Sequence, residues 1–90
     1  MAVTDAIDNY IKTKFSHLHA PEKLDHVEFR IGSTKKEQYI HFNAHIPGES
    51  LVVKTSDKNL YRAIDNLMNK LHLVFIKEKG KHHQHLSSNI

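Results

Sequence analysis

The chain has 90 residues, 39% of them hydrophobic, no cysteine, and a formal charge of +3 with a pI near 9.2. This length makes one small domain that buries roughly 60–65% of its unfolded surface; the hydrophobic share excludes a disordered tail, and the lack of cysteine excludes disulfides and thiolate chemistry and makes a reducing cytoplasm the expected home. The longest apolar run, Leu73 to Ile76, is far short of a membrane span, and no charged segment followed by an apolar stretch opens the chain, so neither a membrane partner nor a secretory signal is expected.

Thr4 is a helix N-cap with Asp5 in the first turn, where a carboxylate suits the positive helix end. Ile7, Tyr10, Ile11, Phe15 and Leu18 share one helical face, and Ala20-Pro21 is expected to end that helix, because the residue before proline is pushed out of the helical region. From Asp25 the period changes to two: Val27, Phe29 and Ile31 alternate with His26, Glu28 and Arg30 in a half-buried strand. Residues 32–36 read as a polar turn. Ile40, Phe42, Ala44 and Ile46 then alternate with Tyr39, His41, Asn43 and His45 in a second strand, Pro47-Gly48 turns the chain, and Leu51 to Thr55 form a third strand.

Ser56-Asp57 opens a long helix expected over residues 57–79. Leu60, Ala63, Ile64, Leu67, Met68, Leu71, Val74 and Phe75 recur at three- and four-residue steps as its buried stripe. Another face carries Lys58, Arg62, Asn66, Lys70 and Lys77, with Lys79 and Lys81 at its end. Such a row either lies along a phosphate backbone or is an ordinary solvated surface. Residues 1–81 make the expected domain, and residues 82–90, rich in His, a flexible cationic arm.

Two amphipathic helices and a meander bury everything only if both helices pack on the sheet face that carries Val27, Phe29, Ile31, Ile40, Phe42 and Ala44. The fold class is therefore α+β: helix, three-stranded antiparallel meander, helix. The opposite sheet face, with His26, Glu28, Arg30, Tyr39, His41, Asn43 and His45, stays wet.

Nine histidines and ten carboxylates are present, yet no Ser-His-Asp order, paired acids or glycine-rich phosphate loop stands among them, so the chain does not read as an enzyme with a small-molecule substrate. His41 and His45 sit four apart on a strand, about 13 Å from each other, too far to share one ion. No H-x-x-x-H pair lies on a helix, and neither a metal nor another cofactor is expected. Tyr61 has two readings: a ring packed at the core margin, or a platform for a base.

The run NLYRAIDNLMNKL at 59–71 resembles the second helix of the bacterial ribosome hibernation-promoting factor and ribosome-associated inhibitor family, also known as the sigma-54 modulation family. Tyr61, Ala63, Ile64, Leu67, Lys70 and Leu71 match its pattern, as do the spaced lysines Lys77, Lys79 and Lys81. VTDAIDNYIKTKFSHL, at 3–18, is similar to its first helix. The resemblance implies a cytoplasmic, non-enzymatic protein that binds small-subunit ribosomal RNA, blocks the channel of messenger and transfer RNA, and holds ribosomes inactive. The implied RNA-binding residues are Lys14, Lys58, Arg62, Lys70, Lys77, Lys79 and Lys81. Departures are visible: His17 stands where the family places lysine, Leu73-Val74-Phe75 replaces an Arg-Gln-Leu, and the family's first strand has no counterpart before the first helix. A sheet lacking that strand exposes an edge, which makes a homodimer a second expectation.

Two rivals accompany this reading. A double-stranded-RNA-binding domain shares the helix, three strands, helix order, but its second helix begins with a Lys-Lys-x-Ala-Lys cluster, whereas here the chain reads DKNLY. A protein-interaction module dimerising through the sheet edge is the other.

Overall fold

The computed structural model describes residues 4–88, with side chains as far as Glu78. The elements run α1 (Asp5–Ser16), β1 (Asp25–Ser33), β2 (Gln38–Ile46), β3 (Glu49–Asp57) and α2 (Leu60–Ser88). The sheet order is β1-β2-β3 with both pairings antiparallel, and the two helices cover one sheet face, so the α+β meander read from the sequence is the fold. Among the described residues, no helix is long and apolar enough to cross a membrane.

At the start of α1, Thr4 Oγ1 accepts the Ile7 N–H at 3.2 Å and the Thr4 carbonyl accepts the Asp8 N–H at 3.0 Å. Asp8 and Lys12 pair one turn apart at 2.8 Å, an exposed contact. The helix stops at Ser16, four residues short of the expected Ala20-Pro21. The Ser16 hydroxyl donates to the Thr13 carbonyl at 2.7 Å, while the His17 and Leu18 N–H groups reach back only three residues, to Lys14 and Phe15. That tighter closing turn satisfies the orphan carbonyls and ends the helix before the proline acts. Leu18 still packs against the core from beyond it.

β1 departs from simple alternation. Its pairing with β2 slips between Asp25 and Glu28, and His26 adopts a positive φ of 54°. A bulge of this kind bends the strand and re-aims its side chains. Val27, expected on the core face, is 42% exposed, and Phe29 and Ile31 are only partly buried. β1 is an edge strand roofed by α1 alone, whereas central β2 lies under both helices, with Ile40, Phe42 and Ala44 buried. Four phenylalanines knit the layers: Phe15 of α1 stands 5.5 Å from Phe29, 6.0 Å from Phe42 and 6.1 Å from Phe75, ring centre to ring centre.

The β2–β3 hairpin turns on Pro47 and Gly48, the latter at φ 88°, where a side chain is costly. β3 then runs to Asp57, two residues past the expected end, and α2 begins at Leu60 rather than 57. The reason is local: the Asp57 carboxylate accepts the Asn59 N–H and the Asn59 side chain accepts the Tyr61 N–H, each at 2.9 Å, which makes Asn59 the cap. The buried stripe of α2 follows the expected positions at Leu60, Ala63, Ile64, Leu67, Met68, Leu71 and Phe75, all buried, while Val74 is only partly covered at its margin. Buried Thr55 donates its hydroxyl to the Ala63 carbonyl at 2.7 Å and pins β3 to the first turn of α2. The backbone of 82–88, expected as a flexible arm, continues α2; residues 1–3 and 89–90 lie outside the described residues.

Candidate nucleic-acid interface

At about 100° per residue, Arg62, Asn66, Lys70 and Lys77 fall on one flank of α2, and all four are exposed. Asp65 lies about 140° round the axis from Lys70, on the flank that meets α1. There the structure builds a seam. The Tyr10 hydroxyl donates to Asp65 at 2.6 Å, and Lys14 reaches the same carboxylate at 3.9 Å while its ammonium lies 5.4 Å from the centre of the Tyr10 ring. Tyr61 meets Tyr10 edge to face at 4.9 Å, so its ring packs between the helices. The hydrogen bond to Asp65 raises the Tyr10 pKa, since ionising the phenol would set two negative charges against each other.

The residues named from the sequence therefore separate. Arg62, Lys70 and Lys77 share a flank. Lys14 sits on the α1 side, well round the axis from Lys70 and Lys77 but nearer Arg62, and is partly neutralised by Asp65, while Lys58 precedes α2 in a shallow recess with Gln38, Asn59 and Tyr61. The side chains of Lys79 and Lys81 lie outside the described residues. Among the described residues Arg62, Lys70 and Lys77 make no ion pair, in contrast to Lys12, Lys14 and Arg30, each held by a carboxylate. No three His, Asp or Glu side chains converge as metal ligands among those residues.

Two features escaped the sequence reading. Asp65 as the partner of Lys14 joins positions far apart in the chain, and no local spacing announces it. Lys54 alternates outward on β3 beside His41, its cross-strand neighbour, and lines the same open groove as Lys70 of α2.

Residues 1–83 match the family model described as sigma 54 modulation protein / S30EA ribosomal protein. A ribosome hibernation promoting factor of Azotobacter vinelandii is 32% identical over 88% of this chain and 75% of its own, and that of Klebsiella oxytoca is 29% identical over 92% and 88%. Among solved structures, a ribosomal subunit interface protein from Coxiella burnetii superposes with a TM-score of 0.82 at 17% identity, covering 89% of each chain. The N-terminal domain of Thermus thermophilus Protein Y gives 0.72 at 25% identity, over 83% of this chain and 84% of that one.

Proposed function

The chain belongs to the sigma 54 modulation protein / S30EA ribosomal protein family, and on that premise we propose that it is a ribosome-associated hibernation protein that binds small-subunit ribosomal RNA and occupies the channel of messenger and transfer RNA. It works in the cytoplasm, where that partner is. The action is steric: phosphate contacts hold the domain in place, with no bond made or broken.

The observation that supports this most is the contrast among cations. Arg62, Lys70 and Lys77 line one exposed flank without a carboxylate partner among the described residues, so their charge is available to phosphates. Lys79 and Lys81 join these contacts on the strength of the sequence resemblance alone, and Lys58 and Lys14 are secondary contacts, Lys14 in competition with Asp65. Sucrose-gradient co-sedimentation with small subunits tests the reading. If about four or five phosphates are engaged, the slope of log affinity against log salt is about −3 to −4. Binding absent at low salt, or indifferent to salt, overturns it.

A second reading has its own observation. Exposed Val27 borders an apolar groove of about 320 Å³ between α1 and edge strand β1, lined also by Ile11, Phe15, Phe29 and Ile31. A second copy pairing along β1 would cover that groove, giving a homodimer through the sheet edge.

A further inference from the structure

The outer face of the sheet carries a ring pair that the family reading does not use. Tyr39 and His41 lie side by side on β2 with ring centres 4.7 Å apart and planes only 32° from parallel. Tyr39 faces Gly32 across the β1 pairing, and its ring end lies where a Cβ on Gly32 would be: such an atom would collide with the Tyr39 hydroxyl and Cζ. The glycine thus lets the tyrosine ring lie across β1. His41 stands between Arg30 and Lys54 in the same cross-strand row, with Arg30 occupied by Glu28 at 2.6 Å.

From this pair a groove of about 700 Å³ runs past the edge strand β3 to α2, lined by Lys54 of β3 and by Asn66, Asn69 and Lys70 of the helix. Glu37 is the one carboxylate among its described lining residues. Half-buried rings, side-chain amides and two cations against one acid suit a ligand that is planar, rich in hydrogen-bonding groups and anionic. The volume lies within the range of small-molecule sites. A duplex keeps its base faces stacked inside and offers nothing for the rings, whereas an unpaired nucleotide offers both a base face and a phosphate.

We propose that this groove binds one unpaired nucleotide of an RNA strand, its base stacked on Tyr39 and His41 and its phosphate held between Lys54 and Lys70. The inference rests on the RNA reading above only through Lys70, which the groove shares with the helix flank. Gly32 is a positioning residue that acts through Tyr39.

The test is fluorescence anisotropy of the full chain with a labelled single-stranded oligoribonucleotide, a duplex RNA of the same length and free AMP. Tyr39→Leu weakens single-strand binding by about tenfold and leaves duplex binding unchanged, and Lys54→Ala, which removes a phosphate contact, weakens single-strand binding as well. Gly32→Ala weakens it too, and the double variant Gly32→Ala/Tyr39→Leu is no worse than Tyr39→Leu alone. Equal single-strand affinity in all variants overturns the proposal. So does a duplex bound as tightly as the single strand, which leaves only phosphate attraction, or AMP bound as tightly, which makes the groove a small-molecule site. Should a variant fail to fold, NMR of the unaltered protein decides: ring signals of Tyr39 and His41 that shift on adding the strand support the groove, and unmoved signals refute it. Ribosome co-sedimentation of Arg62→Ala and Lys77→Ala, both outside the groove, reports separately on the helix flank.

Discussion

Tyr10 shows how one side chain ties two helices and a pH dependence together. Its hydroxyl gives Asp65 a hydrogen bond that raises its pKa above the ordinary 10.0. The folded state therefore holds this proton more tightly than the unfolded chain. The contribution is complete below pH 10 and is lost as the pH rises through the raised folded value. Unfolding midpoints measured from pH 8 to 11 are expected to fall more steeply for the unaltered protein than for Tyr10→Phe, which has no proton to lose there. Thr55 makes the complementary case, a buried hydroxyl on the Ala63 carbonyl. Thr55→Val keeps the shape and removes that bond, at an expected cost of about 1 kcal/mol in denaturant unfolding. An unchanged midpoint would mean that the hydroxyl does not hold β3 to α2.

On the scale of an element, α2 keeps its core residues and its proposed phosphate contacts on different faces. Leu67 is fully buried beneath it, whereas Arg62 and Lys77 stand in solvent. Leu67→Ala is expected to cost about 2–5 kcal/mol through the cavity it leaves, enough to unfold so small a domain. Arg62→Ala with Lys77→Ala is expected to change stability by less than about 0.5 kcal/mol for each exposed site. Ribosome binding by that double variant weakens at fixed salt, because each lost phosphate contact forfeits counterion release. Undiminished binding with an intact fold would remove the helix flank from the interface. The capping pair Asp57 and Asn59 sets where α2 begins, and the buried stripe from Leu60 to Phe75 sets which way its cations face.

At the scale of the whole molecule, three surfaces are proposed for partners. They are the cationic flank of α2, the polar groove along β3 and the apolar groove along β1. Self-association tests the last of these. Sedimentation velocity at rising concentration is expected to show dimers, and Val27→Lys is expected to leave monomers, since an inward or edge charge discourages pairing. Val27 is 42% exposed, so the substitution has little core packing to lose. Only monomer for the unaltered chain at high concentration would end the dimer reading. Leu73 and Ile76, 60% and 51% exposed on α2, are a second apolar patch that the same experiment probes.

Element order, the α+β class and most of the core were legible in the chain, because hydrophobic spacing reports directly which side of a helix or strand is buried. The stripe from Leu60 to Phe75 and the alternation of Ile40, Phe42 and Ala44 both landed as read. Family membership was legible too, since Tyr61, Ala63, Ile64, Leu67 and Lys70 form a run whose order can be recognised without coordinates. Boundaries were less so: Ser16, Asp57 and Asn59 set helix ends through hydrogen bonds that compete with periodicity over one or two residues. The outward turn of Val27 needed the bulge at His26 and the edge position of β1, neither of which alternation encodes. The pairing of Lys14 with Asp65, and the groove that Tyr39, His41 and Lys54 line together with Lys70, were decided only by the tertiary structure. Periodicity fixes the direction of a side chain about its own element, whereas which elements face one another depends on how helices and strands pack.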